Sequence, residues 1–144
     1  MRRMISQLRR DCSGSTAIEF ALIGPAFIAM FMGVLQIGVG MQNYNALRSV
    51  SADVARYAVV NYQTNNHLNI AQLQTYANGI ASAAPYGLVR DRFSVEITVA
   101  ATQRVVGANE YNMHMSYDVP TFLTIFDMDD IPLTYDRPVF VISS

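Results

Sequence analysis

The chain is short of the residues on which enzymes, metal proteins and disulfide-stapled domains are commonly built. Its 144 residues include one cysteine, Cys12, set in a basic N-terminal head. From Ser15 onward there is none, so neither an internal disulfide nor a cysteine-based zinc site can form there. A body without thiols tolerates an oxidising compartment but does not prove one. Histidine is almost as scarce. His67 and His114 lie 47 positions apart, far from the spacing of paired zinc ligands. No G-x-S-x-G elbow, P-loop or glycine-rich dinucleotide fingerprint occurs. These absences argue against an enzyme, and for a chain with no cofactor, no metal and no small-molecule substrate.

Charge is sparse as well. Charged residues make up 15% of the chain and hydrophobic residues 51%, a low charge content for a soluble domain. There is no lysine, and the arginines are unevenly placed. Residues 1–14 hold four Arg and one Asp, whereas the rest holds six Arg against ten acidic residues. A basic head on a mildly acidic body lacks the basic folded face that nucleic-acid binding needs. The densest acidic cluster, Asp127-Met128-Asp129-Asp130, has neither the ligand spacing nor the closing glutamate of an EF-hand. It reads as a solvated acidic turn.

What the chain does have is a long apolar run. Phe20 to Met41 reads FALIGPAFIAMFMGVLQIGVGM, with Gln36 its only conventional polar side chain and no charge before Arg48. As a helix it spans roughly 33 Å, against a bilayer core of about 30 Å. The rest of so small a chain cannot cover it as a core helix. Arg2, Arg3, Arg9 and Arg10 stand just upstream, and positive flanks stay in the cytoplasm. The expectation is a single span with the remainder exported. Inside the run, Pro25 removes a backbone donor and crowds the carbonyl of Ala21, which neighbouring helices must then satisfy. Small residues four apart, Ala17/Ala21 and Ala29/Gly33, allow close approach of other helices. Gly24, Pro25 and Gly33 are the candidate kink and packing positions.

Beyond the run, Leu47, Val50, Val54, Tyr57 and Asn61 form one stripe at spacings of 3, 4, 3 and 4, which predicts that the helix continues to about residue 60. Residues 61–67, NYQTNNH, read as a loop. Asn69 followed by Gln72 reads as a helix start, with Ile70, Leu73, Ala77, Ile80, Ala81 and Ala84 on one face and Pro85 as the stop. The period then changes to two. Phe93, Val95, Ile97, Val99 and Ala101 alternate with more polar residues, as do Tyr111, Met113, Met115, Tyr117 and Val119. These are two half-buried strands, joined through a hairpin at Gly107-Ala108-Asn109. Ile131, Leu133, Tyr135, Val139 and Val141 suggest a third strand, which Pro132 and Pro138 push to an edge or a break.

Glu19, at the head of the apolar run, has three readings. It can be an interfacial carboxylate beside a helix N-terminus. It can be incidental to a secretory signal cut at the small-x-small site Gly38-Val39-Gly40, although the run exceeds the usual core of about 7–15 residues. The third reading takes the constellation whole: basic head, Gly14, four residues, Glu19, Phe20, then an apolar run with an early proline. It resembles the class III signal of type IV pilin-like proteins, G-x-x-x-x-E-[F/Y]. More closely, GSTAIEFALIGPAF resembles the N-terminus of the TadE/TadF-like minor pilins (pseudopilins) of the tight-adherence, or Flp, pilus system; the similarity covers roughly residues 9 to 60.

That resemblance implies cleavage between Gly14 and Ser15 by a prepilin peptidase, with the helix kept in the mature protein and Glu19 as its fifth residue. Glu19 and Phe20 would serve processing and subunit assembly. The new Ser15 ammonium can pair with the Glu19 carboxylate of a neighbouring subunit, since each charge is costly alone in lipid. Many type IV pilins begin with a methylated phenylalanine, and Ser15 departs from that. The implied partners are the membrane, the peptidase, other pilin and pseudopilin subunits and the inner-membrane pilus platform, with a separate cytoplasmic ATPase supplying energy. The implied location is the bacterial inner membrane, N-terminus cytoplasmic and C-terminal domain periplasmic, with incorporation into an extracellular pilus left open. The expected class is α+β. A basic leader at 1–14 precedes a helix at 15–60, membrane-spanning over about 20–41, and an exported domain at 61–144 with a second helix and a small antiparallel sheet. Two alternatives stand beside this: a signal-anchored periplasmic binding module, and a secreted protein freed by cleavage after Gly40.

Overall fold

The structure is a computed structural model that describes residues 13–64, 66–122 and 128–142; Cys12, the rest of the leader up to it, and Asp127 lie outside them. A single helix, α1, runs from Ser13 to Gln63 and continues unbroken through Pro25. From Thr16 to Leu35 it is largely exposed, while Leu47, Val50 and Val54 are fully buried. The predicted stripe is therefore the face that meets the rest of the fold. Ala58 completes it, and so does Ser51, whose hydroxyl donates to the Arg48 carbonyl at 2.8 Å. That local bond satisfies the polar group and lets serine occupy a core position.

Asn61, Tyr62 and Gln63 are helical where a loop was expected. Asn61 donates to the Tyr57 carbonyl, and Thr64 donates from its backbone and hydroxyl to the Asn61 carbonyl. Tyr62 also reaches the sheet, its hydroxyl 3.0 Å from that of Tyr111. Tertiary anchoring and satisfied terminal carbonyls extend the helix beyond what local composition suggests.

The second helix, α2, spans Ile70–Ser82 and opens with the expected capping box: Asn69 accepts from the Gln72 amide at 2.8 Å, and Gln72 accepts from the Asn69 amide at 2.9 Å. It buries Leu73, Ala77 and Ala81. A ring stack of Tyr57 on Tyr76, centroids 3.9 Å apart, joins α2 to α1. After the helix, Tyr86 donates to the Asp53 carboxylate at 2.7 Å and ties the connection back to α1.

Three antiparallel strands follow, β1 (Phe93–Val99), β2 (Ala108–Val119) and β3 (Ile131–Ile142), in the order β1-β2-β3. The register sets Val95 opposite Met115 and Met115 opposite Tyr135, so one face is apolar across all three strands and packs on both helices. The alternation holds along β2 from Met113 to Val119. On β1 it fails at the end: Val99 is 58% exposed and Ala100 is buried, its amide donating to the Glu110 carbonyl at 2.9 Å. The loop to β2 is correspondingly longer than a tight hairpin. Gly107, at φ 81, turns the chain in the left-handed region that glycine tolerates, and Ala108 and Asn109 already belong to β2. Strand β3 is unbroken across Pro132 and Pro138 and lies at the edge, where a missing amide donor can face away from the ladder.

Met115 has no exposed surface and sits at the middle of the sheet. Met115→Ala should destabilise the domain by about 2–5 kcal/mol, read as a lower urea midpoint with unchanged slope. An equal midpoint would show that the sheet does not close on the helices.

Candidate functional site

The residues singled out at the N-terminal end all fall on α1. Gly14 and Ser15 lie within its first turn, as the helix begins at Ser13. Glu19 is exposed, and Phe20 is 77% exposed. Side chains added at Gly24 and Gly33 meet little: the nearest atom to a Gly24 Cβ is Phe20 Cε1 at 3.9 Å, and nothing lies within 4 Å at Gly33. The helix is long and apolar enough to cross a membrane, and its most apolar 18-residue window has no buried residue. The structure aligns these candidates along one rod and brings none of them to the α+β domain. What such a rod offers is a surface for lipid or for other helices.

Among the described residues, the domain is hydrogen-bonded to the rod at Gln36. This amide is buried, and both of its ends are used: its nitrogen donates to the Pro120 carbonyl at 3.1 Å, and its oxygen accepts from the Phe122 amide at 2.9 Å. The same loop is held from the other side by Asp130, which accepts from the Thr121 amide at 3.0 Å and from Arg92 at 2.5 Å. Those contacts hold the Asp130 carboxyl below its ordinary range, the Thr121 amide foremost. Sequence reasoning noticed Gln36 only as the lone polar group of its run and did not foresee its partner. The available signal was general: an amide in an apolar run must bond to something.

At the far end of the sheet the loop after β1 folds over Glu110. The Arg104 backbone and guanidinium both donate to this carboxylate, and Gln103 accepts from the Glu110 amide at 2.6 Å. Bonding to Arg104 pulls the Glu110 carboxyl below its ordinary value of 4.5, against the opposing effect of desolvation. Nearby, burial and the Tyr62 hydroxyl push the Tyr111 phenol up to about 12. The histidines hold structural contacts: His67 meets the Tyr62 ring edge-on at 4.8 Å, and His114 Nδ1 lies 2.6 Å from Asp136 on the open face of the sheet. Among the described residues no group of three or more His, Cys, Asp or Glu is placed to hold a metal. A groove of about 400 Å³ between α1 and β3 carries Arg56 and Arg137 on its walls, which offers positive charge but no nucleophile or base.

One exposed apolar helix continues into an α+β domain that lies on its second half, a layout consistent with a pilin-type protein. Residues 14–56 match the model of the family described as TadE-like protein, so that segment is similar to TadE-like proteins. The match takes in Gly14, Glu19, Pro25 and the buried Leu47, Val50 and Val54 of α1, and ends before Ala58, α2 and the sheet. No curated protein matches the chain, and no solved structure matches it either.

Two measurements check this geometry. Gln36→Leu should free the Phe122 amide, raising its hydrogen-exchange rate roughly tenfold for each ~1.4 kcal/mol of the bond that is lost; unchanged protection would mean that Gln36 does not hold the loop. For Glu110, a lowered native pKa means the folded state binds fewer protons than the unfolded one just below pH 4.5. The pair's stabilisation is thus complete above that pH and lost as pH falls through the native pKa. Glu110→Gln should flatten the acid limb of a stability–pH profile.

Proposed function

We propose that the chain is a minor pilin, or pseudopilin, that takes part in assembling a Tad-type pilus after a prepilin peptidase cuts between Gly14 and Ser15. The role is structural and not catalytic. The observation that carries the reading is the uncovered apolar rod headed by Gly14, Glu19 and Phe20, over a segment that matches the TadE-like family. Removing the basic leader creates an ammonium at Ser15. In a bundle of rods the ammonium of one subunit neutralises Glu19 of the next, and Gly24 and Gly33 give neighbouring helices room. The partners are then the membrane, the peptidase, other pilin subunits and the inner-membrane platform. The leader stays on the cytoplasmic side and the α+β domain is exported, as the arginine flank favours.

The intact mass of the protein recovered from its own cell tests this directly. A mature chain beginning at Ser15 is expected. A chain still carrying Met1 would make it a plain anchored module, and one beginning at Met41 a secreted protein. Gly14→Val should leave the precursor uncut. Glu19→Ala should mature but enter assemblies more than ~tenfold less, since removing one member of a desolvated ion pair strands the other; normal incorporation would overturn the pairing.

A further inference from the structure

We infer that the membrane end of the α+β domain is a lipid-seated foot: Phe122, Met128 and Ile131 rest in the interfacial layer of the outer leaflet, at the height set by Gln36. This rests on the reading of α1 as a membrane span. Three observations carry it. The first is distance. From Thr16 to Leu35 the helix is apolar but for Thr16 and Glu19, and it is largely exposed. Those residues span about 30 Å, one hydrocarbon thickness, and Gln36 comes next. The second is the clamp. Because Gln36 bonds Pro120 and Phe122, the loop cannot slide along the helix, and the span fixes its depth.

The third is chemistry. At that height the domain presents Phe122 and Met128, each 50% exposed, and Ile131 at 39%. Beside them, Ile37 and Met41 of α1 are 66% and 64% exposed. Met41, Tyr44, Ile131 and Leu133 line a groove of about 360 Å³ between helix and sheet that is almost wholly apolar. Through this groove Ile131 and Leu133 adjoin Ile37 and Met41 of the rod, and the Asp130–Arg92 pair is bonded to the same loop at Thr121. Apolar groups backed by polar ones suit the headgroup–acyl boundary, into which interfacial elements sink about 5–10 Å. Phospholipid is the occupant that such continuity selects.

The span is thereby drawn back to about Thr16–Gln36. Were it to end at Met41, Gln36 and the loop bonded to it would lie about 7.5 Å below the surface, taking the Asp130–Arg92 pair toward a region where charges are expensive.

The chain has no tryptophan, so single reporters read depth directly. The full chain is placed in phosphatidylcholine vesicles brominated either near the glycerol or near the middle of the acyl chains. Phe122→Trp and Met128→Trp report the foot, Phe27→Trp the centre of the span, and Val106→Trp the far turn of the domain, where Val106 is wholly exposed. Bromines near the glycerol should remove about half of the emission from the two foot reporters, as insertion by ~5–10 Å allows. The Phe27→Trp reporter should be quenched by the deep bromines, and Val106→Trp only by aqueous acrylamide. If the foot reporters behave like Val106→Trp while Phe27→Trp is quenched, the foot is not in lipid and the inference fails alone. If they are shielded from bromine and acrylamide alike, a second copy covers the foot, which also overturns it. If Phe27→Trp escapes the deep bromines, the membrane reading fails and the foot fails with it.

Discussion

The amide of Gln36 stands where α1 passes from an uncovered apolar rod to a packed α+β domain. Below it, from Ala17 to Leu35, the side chains of α1 are apolar apart from Glu19 and largely uncovered; from Leu47 upward one stripe is buried under α2 and the sheet. A buried amide with only one end satisfied would be costly. Here the nitrogen and the oxygen are both engaged by the backbone of a single loop, so the polar group that most weakens the apolar run also locks the domain to it. The domain cannot rotate about the rod or shift along it without breaking both bonds. A rigid junction of this sort passes forces and register from rod to domain.

Above the junction, stability comes from an ordinary two-layer arrangement. Helices α1 and α2 together cover one face of a three-stranded sheet, which alone would be marginal. Tyr44 meets Tyr135 edge-on at 5.9 Å and Tyr62 bonds Tyr111, tying the helical layer to the sheet, while Tyr57 stacks on Tyr76 within the helical layer. The open face carries small and polar pairs such as Ser94 with Ser116 at 2.8 Å. Strand β3 is a long edge, and its two prolines deprive an incoming strand of donors. That discourages the edge-to-edge pairing to which such strands are prone.

Much of this was legible in the residues because it is local. The capping box at Asn69 and Gln72, the stripe from Leu47 to Val54 and the period-two runs of β1 and β2 are each set by neighbours in sequence, and each appears in the fold. The misses are non-local. Asn61 to Gln63 are helical partly because Tyr62 finds Tyr111, 49 positions away. Glu110 is buried because a loop carrying Arg104 folds back over it, and Val99 is exposed because Ala100 takes the inward position. Asp130, one carboxylate of a cluster that looked merely solvated, organises the Thr121 loop with Arg92. The N-terminal motif was legible as a pattern, yet one chain holds no partner subunit for its rod, so the fold leaves that surface open.

The heights of these groups along α1 constrain how rods can pair. With Gln36 at the outer boundary, Glu19 lies 17 residues, or about 25 Å, deeper along the helix, and Ser15 a further ~6 Å beyond it. On the proposed reading the carboxylate lies inside the hydrocarbon layer but near its inner edge, and an amine at Ser15 would lie at that edge. Rods packed in parallel at equal height would set each Glu19 beside another Glu19, where like charges repel. On the proposed reading, opposite charges meet only if neighbours are offset by about one helical turn, ~6 Å, along the axis. Repeating one offset from subunit to subunit generates an open helical assembly and not a closed ring, because a heterologous contact that does not return to its starting point continues without limit. The spacing between Ser15 and Glu19 would therefore contribute to the rise of any fibre these rods build, and the Gln36 clamp would carry that rise outward to the domains.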